Sequence, residues 1–559
     1  MDQAKEIISN LEYLKKLFIM PESPDKFVEF GHELLELIHD FFQEKGGIHS
    51  SATLPQLSEI FNQTSIPDGP LLIKDVLSEI KTKIIDHSVK VGNPFYIGHM
   101  TSAIPYFMIL LEMIIAALNQ NQVKIETAKA SSFVERELVA WLHNLIFNKK
   151  ENFYTKNIQN PRVALGNVTS DGTLSNVTAL MVAREKAFPP DGNFQGLRVE
   201  GMEKALRHYE YTRGVVLVST RGHYSITKAA NLLGMGESNV INIPVDEYNR
   251  INIKRLARKI KRLKENRDNE RTKIIAIIGI AGTTETGNVD NLEALNEIAS
   301  ETGAHFHVDA CWGGPALLVE EYRNLFKGIE KADSVAFDAH KLLYCPMSMG
   351  LALFRSEKDL GLIRHSSKYV IRKNSVDTGR FTVEGSRPFA CLKPWASIKI
   401  IGREGYGLLF KHAKESTDYF KNILDKNDNF EMLNQPELFI LNYRFIPDQV
   451  QRQIARWNSR NSSGNISSDS KRKIQKTNRL INSLNIKLHR ALRKDDTTFV
   501  SRTTLESTRY RPQNIVVLRA VLINPLTEKE VLDEIKETQN RIGLEIWNEF
   551  EPAYNRMIE

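Results

Sequence analysis

Apolar and polar positions change their rhythm twice along this chain. From Met1 to about Lys90 the pattern is helical, with Phe27, Phe30, Leu34, Leu35 and Ile38 on one stripe. Asn93 to Tyr96 breaks it. Ile104 to Leu118 is the most apolar run, but it contains Glu112 and is shorter than the ~20 residues a membrane span needs. It reads as a buried helix with Pro105 in its first turn.

From about Arg162 to Phe354, short apolar runs alternate with helical patterns. The runs are VALGNV, GVVLVST, NVINIP, KIIAIIGIAG, HFHVDA, DSVAFDAH and GLALF. This alternation predicts an α/β fold with a mainly parallel central sheet, in which ligands gather at the carboxyl ends of the strands. A long polar stretch, Leu362 to Arg387, follows; a connection of that length is usually functional or mobile. Beyond Pro388 the pattern suggests a small α+β domain with strands at Leu438–Arg444 and Ile515–Leu522. Asn458 to Ser470 is rich in Ser, Asn and Gly, which predicts a flexible insertion within about 450–490. Three units result: 1–92, helical; 93–387, the large domain; and 388–559, the small one.

Composition changes this picture little. The 559 residues include 75 Lys/Arg and 68 Asp/Glu, a mild net charge of +7. Lys254 to Arg271 holds nine Lys/Arg and three Asp/Glu, with Ile253, Leu256, Ile260 and Leu263 at helical spacing. It reads as an amphipathic helix with a solvated basic face, in preference to a nucleic-acid or membrane contact. Cys311, Cys345 and Cys391 lie far apart, which argues against a disulfide framework or thiolate metal site. The N-terminus has no uninterrupted apolar core of a secretion signal. A soluble, cytoplasmic protein without nucleic-acid or membrane partners is expected.

Candidate chemistry sits where the strands end. In DSVAFDAHK, Lys341 leaves a strand; desolvation would lower its amine's pKa and favour the neutral form that condenses with an aldehyde, although a lysine there is commonly a surface residue. In HFHVDACWGG, His305, His307 and Asp309 share one strand face. They could be two metal-ligating histidines with a carboxylate, satisfied buried histidines, or a lone Asp309 poised to pair with a protonated pyridine nitrogen. GNVTSDGTLSNVTALMVAR places a turn before a helix, and free N–H groups there with the Thr173 hydroxyl would cradle a monophosphate; an ordinary capped helix is the alternative. His223 in RGHYSITKAANLLG could stack on a flat ring or simply cap a turn. IAGTTETGNVD offers hydroxyls to the same mouth.

Taken together and in this order, these motifs resemble the group II pyridoxal-phosphate decarboxylases, the family of glutamate and aromatic amino-acid decarboxylases. The likeness extends from Asn93 onward, and its most specific part is H-V-D-A paired with D-x-H-K about thirty residues later. It implies a fold type I, aspartate aminotransferase-like architecture with pyridoxal 5'-phosphate as cofactor. Lys341 would carry the cofactor, Asp309 would pair with the pyridine nitrogen, and His223 would stack over the ring. Gly172, Thr173, Asp338 and His340 would surround the phosphate, and Thr283 would lie near the ring substituents. Relatives often read Ser-Gly-Gly-Thr where this chain reads Ser-Asp-Gly-Thr. Asp171 is unfavourable beside a phosphate unless it turns away or caps the helix.

The resemblance also implies that Tyr369, in the polar stretch, protonates Cα. That stretch crosses to a partner subunit in relatives, which implies an obligate homodimer with 1–92 as a dimerisation segment. LRAVLINP is similar to a segment of glutamate decarboxylases whose arginine holds the substrate α-carboxylate, a role that falls to Arg519; a surface ion pair is the plainer alternative. NPFYIGHMTSAIPYF and NQNQVKIET look like side-chain pocket segments, with His99, Thr101 and Lys124 as a polar and basic lining. These strings and FVSRTTL look closest to the bacterial pyridoxal-dependent aspartate 1-decarboxylases. L-Aspartate is therefore the expected substrate, with L-glutamate next and an aromatic amino acid after it. A sphingosine-phosphate-lyase-like enzyme, a transaminase or desulfurase of the same fold, and a non-catalytic homologue are the rival readings.

Overall fold

The structure is a computed structural model that describes residues 14–44, 46–265, 270–367, 371–372, 375–458 and 466–558. Its centre is a seven-stranded sheet: β1 (Gly166–Thr169), β2 (Arg213–Ser219), β3 (Val240–Ile243), β4 (Thr272–Ile280), β5 (His305–Asp309), β6 (Ser334–Asp338) and β7 (Gly350–Phe354). The order across the sheet is β1-β7-β6-β5-β4-β2-β3. β3, β2, β4, β5 and β6 pair in parallel, and β7 runs antiparallel to both β6 and β1. Two antiparallel steps turn β1 back to the direction of β6, so all strands except β7 point the same way. The apolar runs form this sheet because helices cover both of its faces, and a strand buried on both sides favours apolar residues except where polar groups find partners. β5 and β6 are buried throughout.

The second sheet is antiparallel, ordered β10-β11-β9-β8, with β8 at Phe430–Met432, β9 at Ile440–Phe445, β10 at Ser501–Leu505 and β11 at Ile515–Val521. Its core is separate, built around Phe420, Tyr443, Phe445, Leu484 and Trp547. The expected strands in this region are present. Within the expected insertion region of about 450–490, Asp448–Trp457 and Ser468–Asp495 are helices, whereas most of the Ser/Asn/Gly-rich stretch Asn458–Ser470, residues 459–465, lies outside the described residues. Ile474, Ile481, Leu484, Leu488 and Leu492 recur at helical spacing and are buried. The dense Lys and Arg between them mask that stripe from compositional reading.

The basic stretch forms a helix, Ile253–Lys264, that buries Leu256, Ile260 and Leu263, as its pattern predicts. The apolar run Ile104–Leu118 is a second departure. It forms the helix Tyr106–Leu118, with Pro105 as its N-cap, yet only Met108 and Ile115 are buried. Tyr106 is 78% exposed and Ile114 47%. The N-terminal helix Phe27–Gln43 buries no residue at all. Both present apolar side chains to the outside of a single chain.

One crossing positions the site. The segment around Tyr96–Thr101 passes between the sheets: the Val521 amide donates to the Ile97 carbonyl (2.6 Å) and the Ile97 amide to the Phe499 carbonyl (3.0 Å). A Cβ on Gly98 would stand 2.6 Å from the Ser501 nitrogen, so a glycine is needed for this approach. His99 and Thr101 are thereby carried to the mouth of the parallel sheet.

Candidate active site

The loops leaving β1, β2, β4, β5 and β6 meet at the carboxyl edge of the large sheet. They enclose a cavity of about 370 Å³, which the 99–101 segment and Arg519 of β11 close from the other side. His99, Thr101, Gly172, Thr173, His223, Asp309, Asp338, His340, Lys341 and Arg519 all line it.

Lys341 stands three residues after the end of β6, and its Nζ lies 2.9 Å from Oδ2 of Asp338. Burial alone would lower the amine's pKa, but the carboxylates of Asp338 and Asp309 outweigh it and raise the amine above its ordinary value. The sequence expectation of a desolvated, neutral lysine is therefore corrected, because the fold turns carboxylates onto the amine.

Asp309 ends β5 and is buried. Its Oδ2 accepts from Nδ2 of Asn176 (3.0 Å) and its Oδ1 from the Cys311 amide (3.2 Å). Burial pushes its pKa up, yet Lys341, His307 and His223 bring it below the ordinary carboxylate value, so it stays ionised. His223 leaves β2, and burial lowers its pKa, which favours a neutral ring. Its Nδ1 pairs with Oγ of Ser225 (2.9 Å), to which Asn176 also donates (2.9 Å).

Asn176 was not singled out by sequence reading, yet it joins three candidate groups. Its Oδ1 meets Nε2 of His307 at 2.8 Å, while its amide serves Asp309 and Ser225. It lies four residues after Gly172 on the helix Gly172–Ala187, so helical spacing alone placed it on the same face. His305 and His307 share the Ser334 hydroxyl, at 2.7 and 2.8 Å. Burial pushes them down to about 3 and about 4. Both ring nitrogens of His307 are hydrogen-bonded, Nδ1 of His305 has no partner among the described residues, and no group of three or more metal-ligating side chains forms among them.

Asp171 caps the helix, its carboxylate accepting from the Leu174 amide at 2.9 Å. That is one of the two arrangements compatible with a nearby phosphate. The Gly172 and Thr173 amides have no hydrogen-bond partner among the described residues. A Cβ on Gly172 would stand 2.5 Å from Sγ of Cys311 and 2.9 Å from Oδ2 of Asp338.

Arg519 is opposite Ser501 and Asn442 in the small sheet, and its Nη1 donates to Oγ of Ser501 (2.9 Å). Its Nε is buried without a partner among the described residues. Burial lowers its pKa to about 10, against the raising effect of Glu285. His99 pairs with Thr101 (2.8 Å), and burial together with Arg519, Lys341 and His340 lowers its pKa. The basic character expected of His99 therefore belongs to Arg519. Sequence reading also passed over Arg221, which lines the cavity and is bound to Glu506 at 2.7 Å.

Two expected residues, Thr283 and Lys124, are not among the cavity's lining, and a third lies outside the described residues. Thr283 turns from the cavity to share a hydrogen bond with Thr286 (2.7 Å), while Gly282 and Thr284 form the wall. Gly282 has φ +103°, and a Cβ there would stand 2.7 Å from Trp312, so the turn fixes which neighbours face inward. Lys124 pairs with Glu126 and is not part of the lining. Tyr369 lies outside the described residues. The stretch after it is anchored on the 122–125 segment: Ile125 donates to Asp377 (3.0 Å), Thr378 to the Gln122 carbonyl (2.8 Å) and Gly379 to the Val123 carbonyl (3.2 Å).

This donor set fits pyridoxal phosphate. An ionised carboxylate suits a pyridinium, an amine suits an aldehyde, an imidazole suits the ring face, and free amides at a helix start suit a phosphate.

Comparison with known proteins agrees with that fit. The description "Pyridoxal-dependent decarboxylase conserved domain" matches residues 55–446. The chain is 39% identical over 539 residues to an aspartate 1-decarboxylase of Aliivibrio fischeri, covering 96% of this chain and 95% of that protein. It is 29% identical to a cysteine sulfinic acid decarboxylase of Mus musculus over 68% of this chain and 72% of the relative. The crystal structure of mouse CSAD superposes with a TM-score of 0.76 at 23% identity, covering 92% of this chain and 99% of that one, which shows a shared fold.

Proposed function

This chain belongs to the pyridoxal-dependent decarboxylase family, and on that premise we propose that it removes the α-carboxylate of L-aspartate, giving β-alanine and carbon dioxide. It is a pyridoxal-phosphate enzyme, and the bound cofactor supplies an electron sink for the pair left at Cα when the carboxylate departs.

The protein's own groups divide the remaining work. Lys341 is the amine that holds the cofactor's aldehyde. Asp309, kept ionised among Lys341, His307 and His223, holds a proton on the pyridine nitrogen. His223, which lines the cavity, would offer its neutral imidazole to the cofactor ring. The Gly172 and Thr173 amides, with the Thr173 hydroxyl, bind phosphate at the helix start. Asn176 fixes the orientation of Asp309. Tyr369 returns a proton to Cα, a role that rests on its resemblance to the loop tyrosine of relatives.

The observation that carries an anionic substrate is Arg519. Its guanidinium lines the same cavity as Lys341 and has a buried, unpartnered Nε. A planar guanidinium in that position suits bidentate carboxylate binding. Two relatives support a substrate with a second acidic group one methylene from Cα: one is an aspartate 1-decarboxylase, the other a cysteine sulfinic acid decarboxylase. Aspartate and cysteine sulfinate share that spacing, which favours aspartate over glutamate. A single methylene is worth only ~1–3 kcal/mol of discrimination, so glutamate is the alternative substrate.

The working form is proposed to be a homodimer. The exposed apolar faces of Phe27–Gln43 and Tyr106–Leu118 support it, since such faces are normally covered.

Incubation with aspartate, glutamate and tyrosine in parallel, with amine and carbon dioxide measured, tests the assignment. Aspartate should give the highest kcat/KM. Turnover of tyrosine alone would overturn the acidic-substrate reading.

A further inference from the structure

Outside the cofactor cavity, the described residues form a second polar pocket of about 300 Å³ whose charged lining is entirely basic. Arg198, Arg364, Arg380 and His365 surround it, with Ser366 and Gly361 completing the wall. It shares no lining residue with the cofactor cavity.

A guanidinium keeps its charge at every accessible pH, so three in one small pocket repel each other unless a counter-charge joins them. Among the described residues none of the three forms a salt bridge within 4 Å. Arg198 donates to the Arg364 carbonyl at 2.6 Å, and Arg380 to the Ser375 carbonyl at 2.5 Å. Those bonds hold the side chains in place without neutralising them. Arg380 is only 5% exposed, and its Nε is buried without a partner. Asp377, three residues earlier, acts on Arg380 from a distance, with its Oδ1 taken by the Ile125 amide. Glu185 accepts from the Arg198 backbone amide (3.1 Å) and lies beside Arg184 (3.5 Å).

We propose that this pocket binds a small, multiply charged oxyanion, a phosphate ester or a polycarboxylate, held by the guanidinium groups of Arg198, Arg364 and Arg380 with the Ser366 hydroxyl. Guanidinium forks match the planar and tetrahedral oxygens of such anions, and charge-assisted bonds there are stronger than neutral ones. The ligand also joins two parts of the chain. Arg364 and Arg380 stand at either end of the polar stretch, where the His365 amide donates to the Arg380 carbonyl at 3.0 Å. An anion shared between them stiffens that junction.

Calorimetric titration of the holoenzyme with inorganic phosphate, and separately with citrate, tests the site. Arg198 and Arg364 are both exposed, so the R198Q/R364Q double variant retains the fold and can be compared directly. One saturable site per chain is expected, with affinity falling about tenfold for each guanidinium removed. Tighter phosphate than citrate assigns the phosphate-ester class, and the reverse assigns the polycarboxylate class. No saturable binding of either anion, or equal affinity in the double variant, would overturn the proposal.

Discussion

The Nζ of Lys341 and the Oδ2 of Asp338 lie 2.9 Å apart, three residues from each other at the end of one strand. The pair places a cation at the centre of the cofactor cavity before any cofactor arrives. Burial works against that charge, and the carboxylates of Asp338 and Asp309 prevail.

Removing that carboxylate should release the amine. In cofactor-free protein, Lys341 should resist reductive methylation until the pH passes the ordinary lysine value. Asp338→Asn should shift its labelling to lower pH, followed by mass spectrometry of the Lys341 peptide. Identical labelling profiles would show that Asp338 does not control the amine.

Arg519→Ala should raise KM for aspartate about ten- to a hundredfold while leaving the cofactor's visible absorbance intact. A vanished cofactor band in Arg519→Ala would mean the residue serves the cofactor instead.

Asn176→Ala leaves Asp309, His307 and Ser225 without a shared partner. Each deserted buried polar group costs about 1–3 kcal/mol, so a lowered melting temperature and weaker cofactor retention are both expected. Unchanged cofactor affinity would remove Asn176 from the positioning of Asp309.

His143, His305 and His307 predict acid sensitivity. Burial depresses them from 6.5 to about 3, about 3 and about 4, so they are neutral in the folded chain. Unfolded, each takes up a proton below pH 6.5. Stability is therefore fully present above pH 6.5 and declines as pH falls from there toward about 4. Each histidine is worth about 3 kcal/mol across that window. Chemical denaturation at several pH values should show the loss, and His307→Asn, which keeps a polar group at Ser334, should reduce the slope. A flat profile between pH 6.5 and 4.5 would contradict the neutral assignments.

The large sheet was legible because buried parallel strands show their composition: VALGNV, GVVLVST, KIIAIIGIAG and GLALF are mostly apolar, and HFHVDA and DSVAFDAH keep apolar cores between their polar groups. The same regularity put Asp309, His223, Gly172 and Lys341 at one edge, since ligand groups follow strand ends. Helices were read less evenly. Ile253–Lys264 declared itself through a clean stripe, whereas in Ser468–Asp495 the stripe of Ile474, Ile481 and Leu484 is buried under a basic composition. Ile104–Leu118 erred in the opposite way: strong apolarity implied a core helix, yet one chain alone leaves much of it uncovered.

Within the site, what escaped was what depends on folding in three dimensions. The protonated state of Lys341 required knowing which carboxylates turn toward it. Thr283 was displaced from the wall by one residue because the positive φ of Gly282 sets the turn's phase. Asn176 sat within a quoted motif, but a helix asparagine carries no signal until its neighbours are known.

The central claim is that Lys341 holds the cofactor, and reduction of the holoenzyme with borohydride tests it most directly. Reduction fixes the cofactor to whichever amine carries it, and peptide mapping by mass spectrometry identifies the residue. The expected result is a phosphopyridoxyl group on the peptide containing Lys341, absent from Lys341→Ala. The same group on another lysine, or on none, would contradict the account.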